Sequence, residues 1–455
     1  MIKKNKLILP TIGPISSNKE DLKKILRYSD LIRLNGSHNT LDWHKNIISQ
    51  IKKLDKKVVI LFDIPGIKPR TSNKIDIQIK KNQIVRFFDK SYKGKTTDHI
   101  KLSNPLPKIN NKAKNFTIAD GLHFFSIIKK GRGYIEGKSL SDFKLLPNKG
   151  LNIPMSIYDD ILQEKKYLSF LKKSKNLGYD AVGLSFIQNA EIILKLKRKF
   201  PELIFIAKIE NNEGLNNLSK ICQEADGIMV DRGDLGAEIG DKKLYRSVTL
   251  ISEETKKFGR PLIMATENFD SMQLRKIPTK SEVMSLGYSS YLGSDKIMLS
   301  EETAVSSNWK DTISWLNSFI NDNDETNITK TYKIINSNNN QLWNAISDIK
   351  DMPFIIFSRS GEAIYKTKIV NPNAEIIAFT DSLRTLKISS FWKDVSCTLL
   401  QRFDNSKGNY FVFNTIKTYK NKIFKKNKNA VVVYVSNPGK GSRANTITLV
   451  KKKEF

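Results

Sequence analysis

The sequence predicts an α/β chain: a TIM-type (β/α)8 barrel interrupted by a small β-domain, followed by a C-terminal α/β domain. Three observations predict it. Eight short apolar or β-branched runs alternate with helical patterns between residues 6 and 300, the signature of βα units closing a parallel sheet. Nearly all of these runs end in polar residues, which in such a barrel converge on one face. One interval, from residue 72 to about residue 150, is far longer than a βα loop and calls for a domain of its own.

The first run, KLILPTIG (6–13), leads into the helical pattern KEDLKKILRYS. DLIRLN (30–35) ends on Arg33 and Asn35, and LDWHKNIISQIKKL then repeats apolar residues at helical spacing. KVVILFD (57–63) closes on Asp63 before the insertion. Beyond it, DAVGLSF (180–186) carries Ser185, with AEIILKLKRKF as its helix. LIFIAKIE (203–210) ends with Lys208 and Glu210 and precedes the helical NEGLNNLSKICQ. DGIMV (226–230) runs into Asp231-Arg232-Gly233-Asp234-Leu235-Gly236, PLIMAT (261–266) ends on Thr266, and KIMLS (296–300) ends on Ser300 with Glu302 just after. One polar residue after a strand is ordinarily a cap or turn former. So many on a single barrel face argue for a shared active site. The Arg-Gly-Asp tripeptide then reads as a loop at the barrel mouth, its glycines admitting a ligand close to the backbone, and not as an adhesion signal.

The insertion contains DIQIKKNQIVRFF and NFTIADGLHFFSIIKKGRGYIEG, with turn signals at Asp120-Gly121 and from Gly131 to Gly133. A β-rich lid over the barrel mouth is expected. From Asn321, NDNDETNITKTYKIINSNNN reads as a linker or irregular helix, after which PFIIFSRSG, AEIIAFTDS and AVVVYVSNPGKGS again alternate with helical stretches. The expected division is 1–71 with 151–325 for the barrel, 72–150 for the lid and 326–455 for the C-terminal domain.

Composition narrows the function classes. In 455 residues, 39% hydrophobic content supplies a sizeable core. The basic start MIKKNKLILPTIG has an apolar run broken by Pro10, so a signal peptide is not expected, and no later segment approaches a membrane span. Cys222 and Cys397 lie far apart, which fits a reducing, cytoplasmic setting. The net charge of +31 invites a nucleic-acid reading. Lysine is dispersed along the chain and no nucleic-acid-binding motif accompanies it, so neither a nucleic acid nor a membrane is expected as a partner.

The strand ends suggest the chemistry. Glu210 and Asp234 follow neighbouring strands, and two carboxylates with room for water and substrate suit Mg2+. The plainer alternatives are two solvated acids, or ion pairs with Lys208 or Arg232. Arg33, Arg70, Lys208 and Arg232 add positive charge to the same face, as phosphoryl transfer requires, so an anionic phosphorylated substrate is indicated.

At this point the motifs resemble one family. LPTIGPISS, LIRLNGSH, FDIPGIKPRT, IADG, KGLNIP, FIAKIENNEG, DGIMVDRGDLGAEI, RPLIMATENFDSM, PTKSE and IMLSEETA occur in the order found in pyruvate kinases, from Thr11 to Ala304. The resemblance implies Mg2+-dependent transfer of phosphate from phosphoenolpyruvate to ADP, giving pyruvate and ATP in the last step of glycolysis. It also implies a homo-oligomer, usually a tetramer. Carried over by position, Lys208 faces the phosphoryl group and enolate oxygen, Glu210 and Asp234 hold Mg2+, and Arg33 binds the phosphate. Arg70, Asn35 and His38 lie on the nucleotide side. The backbone at Gly233 and Asp234 receives the substrate carboxylate with Thr266, and Thr266 and Ser300 are candidates for the relay that protonates the enolate. Asn35, Ser37 and Asp63 match the family's K+ ligands.

Several positions depart from the family pattern. Lys68 stands where most members have glutamate, and an ammonium there supplies the monovalent charge that K+ otherwise brings, so K+ independence is expected. Pro65, Asp231, Glu267 and Glu301 replace the usual lysine, small residue, glutamine and glycine; added acids at the mouth weaken anion binding unless lysines compensate. The lid is shorter than usual, and its nucleotide-contacting lysine is not assignable. In the C-terminal domain, Ser358 to Gly361 and Gly439 to Ser442 are Gly/Ser loops, but Glu362 replaces a basic residue and the usual tryptophan is missing, so control by a sugar bisphosphate is expected to be altered or absent. Two other readings fit the residues less well. A catalytically weakened paralogue with a regulatory or assembly role is opposed by the full set of Lys208, Glu210, Asp234 and Thr266. A Mg2+-dependent enzyme acting on a C–C bond through pyruvate enolate is opposed by Arg70, His38 and the lid.

Overall fold

The computed structural model describes residues 7–95, 99–323, 332–334, 340–403, 408–425, 427–436 and 444–455. Three barrel strands precede the insertion: β1 (Ile8–Pro10), β2 (Leu31–Asn35) and β3 (Val59–Ile64). The insertion contributes β4 (Ile77–Ile79), β5 (Ile84–Phe88), β6 (Ile100–Lys101), β7 (Asn115–Ile118), β8 (His123–Gly131), β9 (Tyr134–Ser139) and β10 (Phe143–Leu145), and the chain returns through β11 (Leu151–Asn152). The barrel resumes with β12 (Ala181–Leu184), β13 (Ile204–Ile209), β14 (Gly227–Asp231), β15 (Leu262–Ala265) and β16 (Lys296–Leu299). Their order is β1-β16-β15-β14-β13-β12-β3-β2, all paired parallel, and a parallel bridge from Thr11 to Arg33 closes the ring.

These strands read as apolar runs because the barrel buries both of their faces. The outward side chains Ile60, Val182, Phe205 and Ile228 pack under the surrounding helices, while Leu9, Leu61, Ile206 and Met298 fill the barrel's interior. Helix starts follow capping chemistry. The side chains of Asn18, Thr40, Asp159, Asn189 and Thr279 each accept a backbone N–H of the first turn.

Two local expectations are corrected. NEGLNNLSKICQ is not one helix but two, Asn212–Asn216 and Leu218–Glu224, broken at Asn217. The segment after β14 is not an irregular loop: Arg232–Ile239 is helical, with Asp231 as its cap accepting the N–H of Asp234. Leu235 and Ile239 are buried on one side, and that apolar contact holds the helix despite Gly233 and Gly236.

The lid sheet has the order β11-β7-β8-β9-β5-β6 and encloses its own core around Phe87, Phe116 and Phe125. Beyond the barrel, β17 (Phe354–Phe357), β18 (Ile376–Thr380), β19 (Val395–Leu399), β20 (Asn429–Tyr434) and β21 (Thr446–Lys451) form a sheet ordered β19-β18-β17-β20-β21, parallel except for the antiparallel edge strand β21. Of the expected linker at 321–340, residues 324–331 and 335–339 lie outside the described residues, as do Gly439 to Ser442. Among the described residues no helix is long and apolar enough to cross a membrane.

One face of the C-terminal sheet has a core of its own around Phe379, Ile416 and Val432, and the other shares its core with the barrel. One cluster of buried residues joins Leu9, Leu31, Met229 and Met298 of the barrel to Trp343, Phe354, Phe391 and Trp392. Around it, three aspartates precede barrel strands, and each accepts an N–H from the strand beside its own: Asp180 from Ile60 at 2.9 Å, Asp226 from Phe205 at 2.8 Å and Asp295 from Leu262 at 3.0 Å. Each also meets cations. Lys52 and Lys387 reach Asp180 at 2.8 Å, Lys197 and Arg384 reach Asp226 at 2.9 and 2.6 Å, and Lys256 reaches Asp295 at 2.7 Å. Arg384 and Lys387 come from the C-terminal domain, so the network fastens it to the barrel floor.

Burial alone would raise the carboxyls of Asp226 and Asp295, but their cationic partners hold both below the ordinary value of 3.8. A carboxyl depressed in the folded state stabilises the fold above its unfolded pKa and loses that contribution as the pH falls through the folded one. The floor is therefore expected to loosen below about pH 3.8 and not in the neutral range. Asp226→Ala strands Lys197, Arg384 and a buried N–H, and is expected to cost about 3 kcal/mol at pH 7. Urea unfolding followed by tryptophan fluorescence checks this, and an unchanged midpoint would contradict it.

Candidate active site

A cavity of about 770 Å3 opens at the carboxyl ends of the barrel strands, beneath the lid. Arg33, Asn35, Ser37, His38, Asp63, Lys68, Arg70, Lys208, Gly233, Asp234, Thr266 and Ser300 all line it. Glu210 does not; it is fully buried behind Lys208. Arg232 is also absent from the wall, which corrects its expected place among the cations of the mouth.

Lys208, on β13, is the hub. Its Nζ lies 2.8 Å from Glu210 Oε1, 3.1 Å from Asp63 Oδ2 and 3.3 Å from Asp231 Oδ2, and it donates to Ser185 Oγ at 3.4 Å. Burial opposes the charge, yet the Asp63, Glu210 and Asp231 carboxylates prevail and keep this ammonium protonated. Arg33 on β2 is tied to the same Asp63 oxygen through Nε at 3.1 Å and Nη2 at 2.7 Å, while its Nη1 donates to Thr11 Oγ1 at 3.0 Å. Asp63 thus holds a guanidinium and an ammonium side by side, a preformed receptor for a doubly charged anion.

The donor set suits a hard cation. One carboxylate oxygen each from Glu210, Asp231 and Asp234 lie within 4.8 Å of one another. Glu210 Oε2 accepts the N–H of Phe186 at 2.5 Å, while the buried Oε1 faces the Lys208 ammonium at 2.8 Å. Burial, together with the Asp231 and Asp234 charges, pushes the Glu210 carboxyl up to about 8 despite the opposing pull of Lys208. A divalent cation relieves that repulsion, so the residues present fit Mg2+.

Thr266 is held in an unusual backbone. It and Glu267 both have left-handed φ, 56° and 50°, without being glycine. Arg232 accounts for this: Nε donates to the Thr266 carbonyl at 3.1 Å, Nη2 donates to the same oxygen and to Asn268 Oδ1 at 2.8 Å, and Nη1 donates to Ser285 Oγ at 2.8 Å. The Thr266 hydroxyl is thereby set 3.1 Å from the Gly233 N–H, which it accepts, and 3.0 Å from Asp231 Oδ1. Ser300 is fixed through its N–H, which donates to Glu302 Oε2 at 2.6 Å.

On the opposite wall, Arg70 Nη1 donates to the Asn148 carbonyl at 3.3 Å, bringing the guanidinium between barrel and lid. His38 is kept neutral, lowered first by burial and then by Arg70 and Arg33. Asn35 Oδ1 accepts the Ser37 N–H at 3.0 Å. Lys68 pairs with Asp234 and, at 3.0 Å, with Asp120 of the lid. Of the departures, Asp231, Glu267 and Glu301 line the cavity, together with Asp270.

In the sequence Asp231 stands out only as part of the mouth loop and as a departure, Asp120 only as a turn residue, and Phe186 not at all. For Asp231 a signal was present, a second acid three residues before Asp234 on a helical turn. In the C-terminal loop, Glu362 pairs with Lys366 at 3.0 Å, and Arg359 forks onto Asp381 with contacts of 2.7 to 3.1 Å.

The family model for the pyruvate kinase barrel domain matches residues 2–313. A pyruvate kinase from Thermococcus litoralis is 32% identical over 309 residues, covering 66% of this chain and 65% of that protein. One from Trypanoplasma borreli is 32% identical over 320 residues, covering 67% and 63%. Pyruvate kinase 1 of Candida glabrata is 26% identical over 422 residues, covering 85% and 83%. The matches to the first two thus span just under two thirds of those relatives. A crystal structure of a pyruvate kinase from Cryptosporidium parvum superposes with a TM-score of 0.80 at 24% identity, covering 99% of this chain and 96% of that one, a likeness of fold.

Proposed function

The chain belongs to the pyruvate kinase family, and from that premise we propose that it transfers the phosphoryl group of phosphoenolpyruvate to ADP, giving pyruvate and ATP in the cytoplasm. The observation that carries this reading is the convergence of Lys208, Arg33, Asp234 and Thr266, from different strand ends, on one cavity. We assign the barrel to 1–71 and 151–325, the lid to 72–150 and the C-terminal domain to 326–455.

In this reading Arg33 and Lys208 grip the phosphoryl group, held together by Asp63. The N–H of Gly233 and that of Asp234, at the start of the helix Arg232–Ile239, exchange their acceptors Thr266 Oγ1 and Asp231 Oδ1 for the substrate carboxylate. The nucleotide enters along Asn35, His38 and Arg70, so its terminal phosphate oxygen faces the phosphorus opposite the bond to break. The P–O bond to the enol oxygen breaks as the bond to ADP forms, and Lys208 balances the charge left on the enolate. Thr266 then delivers a proton to the enolate carbon, with Ser300 in the relay. Glu210 and Asp234 would hold Mg2+, which, when bound, neutralises charge on the phosphoryl and enolate oxygens. Lid closure excludes water from the transferring phosphate.

Self-association belongs to the same reading. Tyr245, Met284 and Tyr291 are 67%, 73% and 66% exposed on the helices Asp241–Lys257 and Lys280–Tyr291. Aromatic exposure on this scale supports a homo-oligomer, with a tetramer as the form proposed.

The test is pyruvate formation from phosphoenolpyruvate, ADP and Mg2+, with and without K+. Activity without K+ is expected, with less than about a two-fold gain on adding it, because the Lys68 ammonium already supplies a positive charge there. Strong K+ activation would instead make Asn35, Ser37 and Asp63 a working K+ site. Folded protein with no turnover in either condition would favour the non-catalytic paralogue.

A further inference from the structure

Lys68 joins two parts of the molecule that the proposed chemistry needs to adjust independently. It leaves the barrel just after β3, at the entrance to the lid, and is only 4% exposed. Its ammonium pairs with Asp234 on the barrel helix and with Asp120 in the turn between β7 and β8 of the lid, the latter at 3.0 Å. The lid's return is shaped around this side chain: a Cβ on Gly150 would lie 2.5 Å from Lys68 Cε and 2.8 Å from Nζ. The ring of Phe186 closes another side, 5.6 Å from Nζ, and the Phe186 N–H is the one held by Glu210. Lys68 therefore spans the lid hinge, the lid turn and both carboxylates assigned to the divalent cation, one by direct contact and one through Phe186.

A carboxylate already neutralised by a buried ammonium is a poorer ligand for a divalent ion, and an ion that binds it repels the ammonium in turn. By linkage the effect is reciprocal: whatever Lys68 takes from ion affinity, the ion takes from the bridge between Asp234 and Asp120. We propose that Lys68 is a positioning residue that competes with the divalent cation for Asp234 and, through Asp120, ties the lid turn to the barrel until the cation is bound. This rests on the assignment of Asp234 to the metal made above.

The experiment titrates Mn2+ into the full-length, metal-free protein without substrate, following the free ion by electron paramagnetic resonance, and measures hydrogen exchange over 115–123. Lys68→Met is expected to bind Mn2+ roughly ten-fold more tightly than the wild type. Exchange in the lid turn is expected to rise when Mn2+ binds the wild type, and in Lys68→Met to be high already and insensitive to Mn2+. Asp120→Asn separates the two arms by removing the ammonium's lid partner while leaving Lys68 and Asp234 in place: it should free the lid turn while leaving Mn2+ affinity within about two-fold. Equal or weaker Mn2+ binding by Lys68→Met, or a lid turn indifferent to both Mn2+ and Asp120→Asn, would overturn the proposal while leaving the metal site standing. Mn2+ binding that Asp234→Asn fails to weaken would overturn the metal assignment itself, and the coupling with it.

Discussion

Lys208→Ala is expected to lower the turnover of phosphoenolpyruvate and ADP by roughly 10^3-fold, equivalent to about 4 kcal/mol of lost transition-state stabilisation. The size of the effect follows from what the ammonium touches. Asp63, Glu210 and Asp231 all lie within 3.3 Å of it. Without it, the phosphoryl group and the enolate oxygen lose their cation and face three carboxylates instead. Added Mg2+ cannot replace it, since Lys208 and the metal ligands are distinct groups. Lys208→Arg is expected to fail almost as badly, because a site that leaves Lys208 4% exposed has no room for a guanidinium. Steady-state kinetics on folded protein decide the matter, and activity within ten-fold of the wild type would remove Lys208 from the mechanism.

Arg232→Met is expected to reduce kcat by about 10^2-fold with a much smaller change in KM for phosphoenolpyruvate. Arg232 touches no substrate in this reading. Its four hydrogen-bonding contacts on Thr266, Asn268 and Ser285 hold two consecutive non-glycine residues at left-handed φ. Such a conformation costs of order 1–2 kcal/mol per residue and persists only where its surroundings impose it. Once released, Thr266 would lose its register with the Gly233 N–H and Asp231, and with it the proton delivery to the enolate. Solvent exchange of the pyruvate methyl hydrogens reads that step directly and should fall in step with kcat. A rise in KM with unchanged exchange would assign Arg232 to binding.

Much of the barrel was legible because its strands are buried on both faces and therefore appear as uninterrupted apolar runs, as in LIFIAKIE and PLIMAT. The cavity-lining positions were legible for a related reason: Arg33, Lys208 and Thr266 stand out as polar residues at the ends of such runs. The direction in which a side chain turns was not. Arg232 was grouped with the cations of the mouth, yet it points beneath the loop that follows β15, a fact carried by partners some 34 to 53 positions away in sequence. Lys68 was read through its charge alone, whereas its partners Asp120 and Asp234 lie 52 and 166 positions off. The helix after β14 was missed because Gly233 and Gly236 read as loop residues, while the cap that starts it, Asp231, read as part of that loop and as an added charge. The aspartates of the barrel floor were visible throughout, one at the head of each of DAVGL, DGIMV and DKIML. Nothing in those three segments alone reveals that Arg384 and Lys387 would come to meet them.

That floor bears on how the chain can be recombined. Two of its aspartates are shared between a lysine of the barrel and a cation from the helix Leu383–Ser389, and the apolar residues inside the ring continue into those around Phe354 and Trp392. The barrel and the C-terminal sheet are thus not interchangeable cassettes. A chimera that grafts another protein's C-terminal half onto this barrel must also bring a guanidinium for Asp226, an ammonium for Asp180 and an apolar plug of matching shape. Where it does not, the graft leaves ionised groups sealed at a mismatched joint, and the penalty falls on the half of the molecule that was never altered.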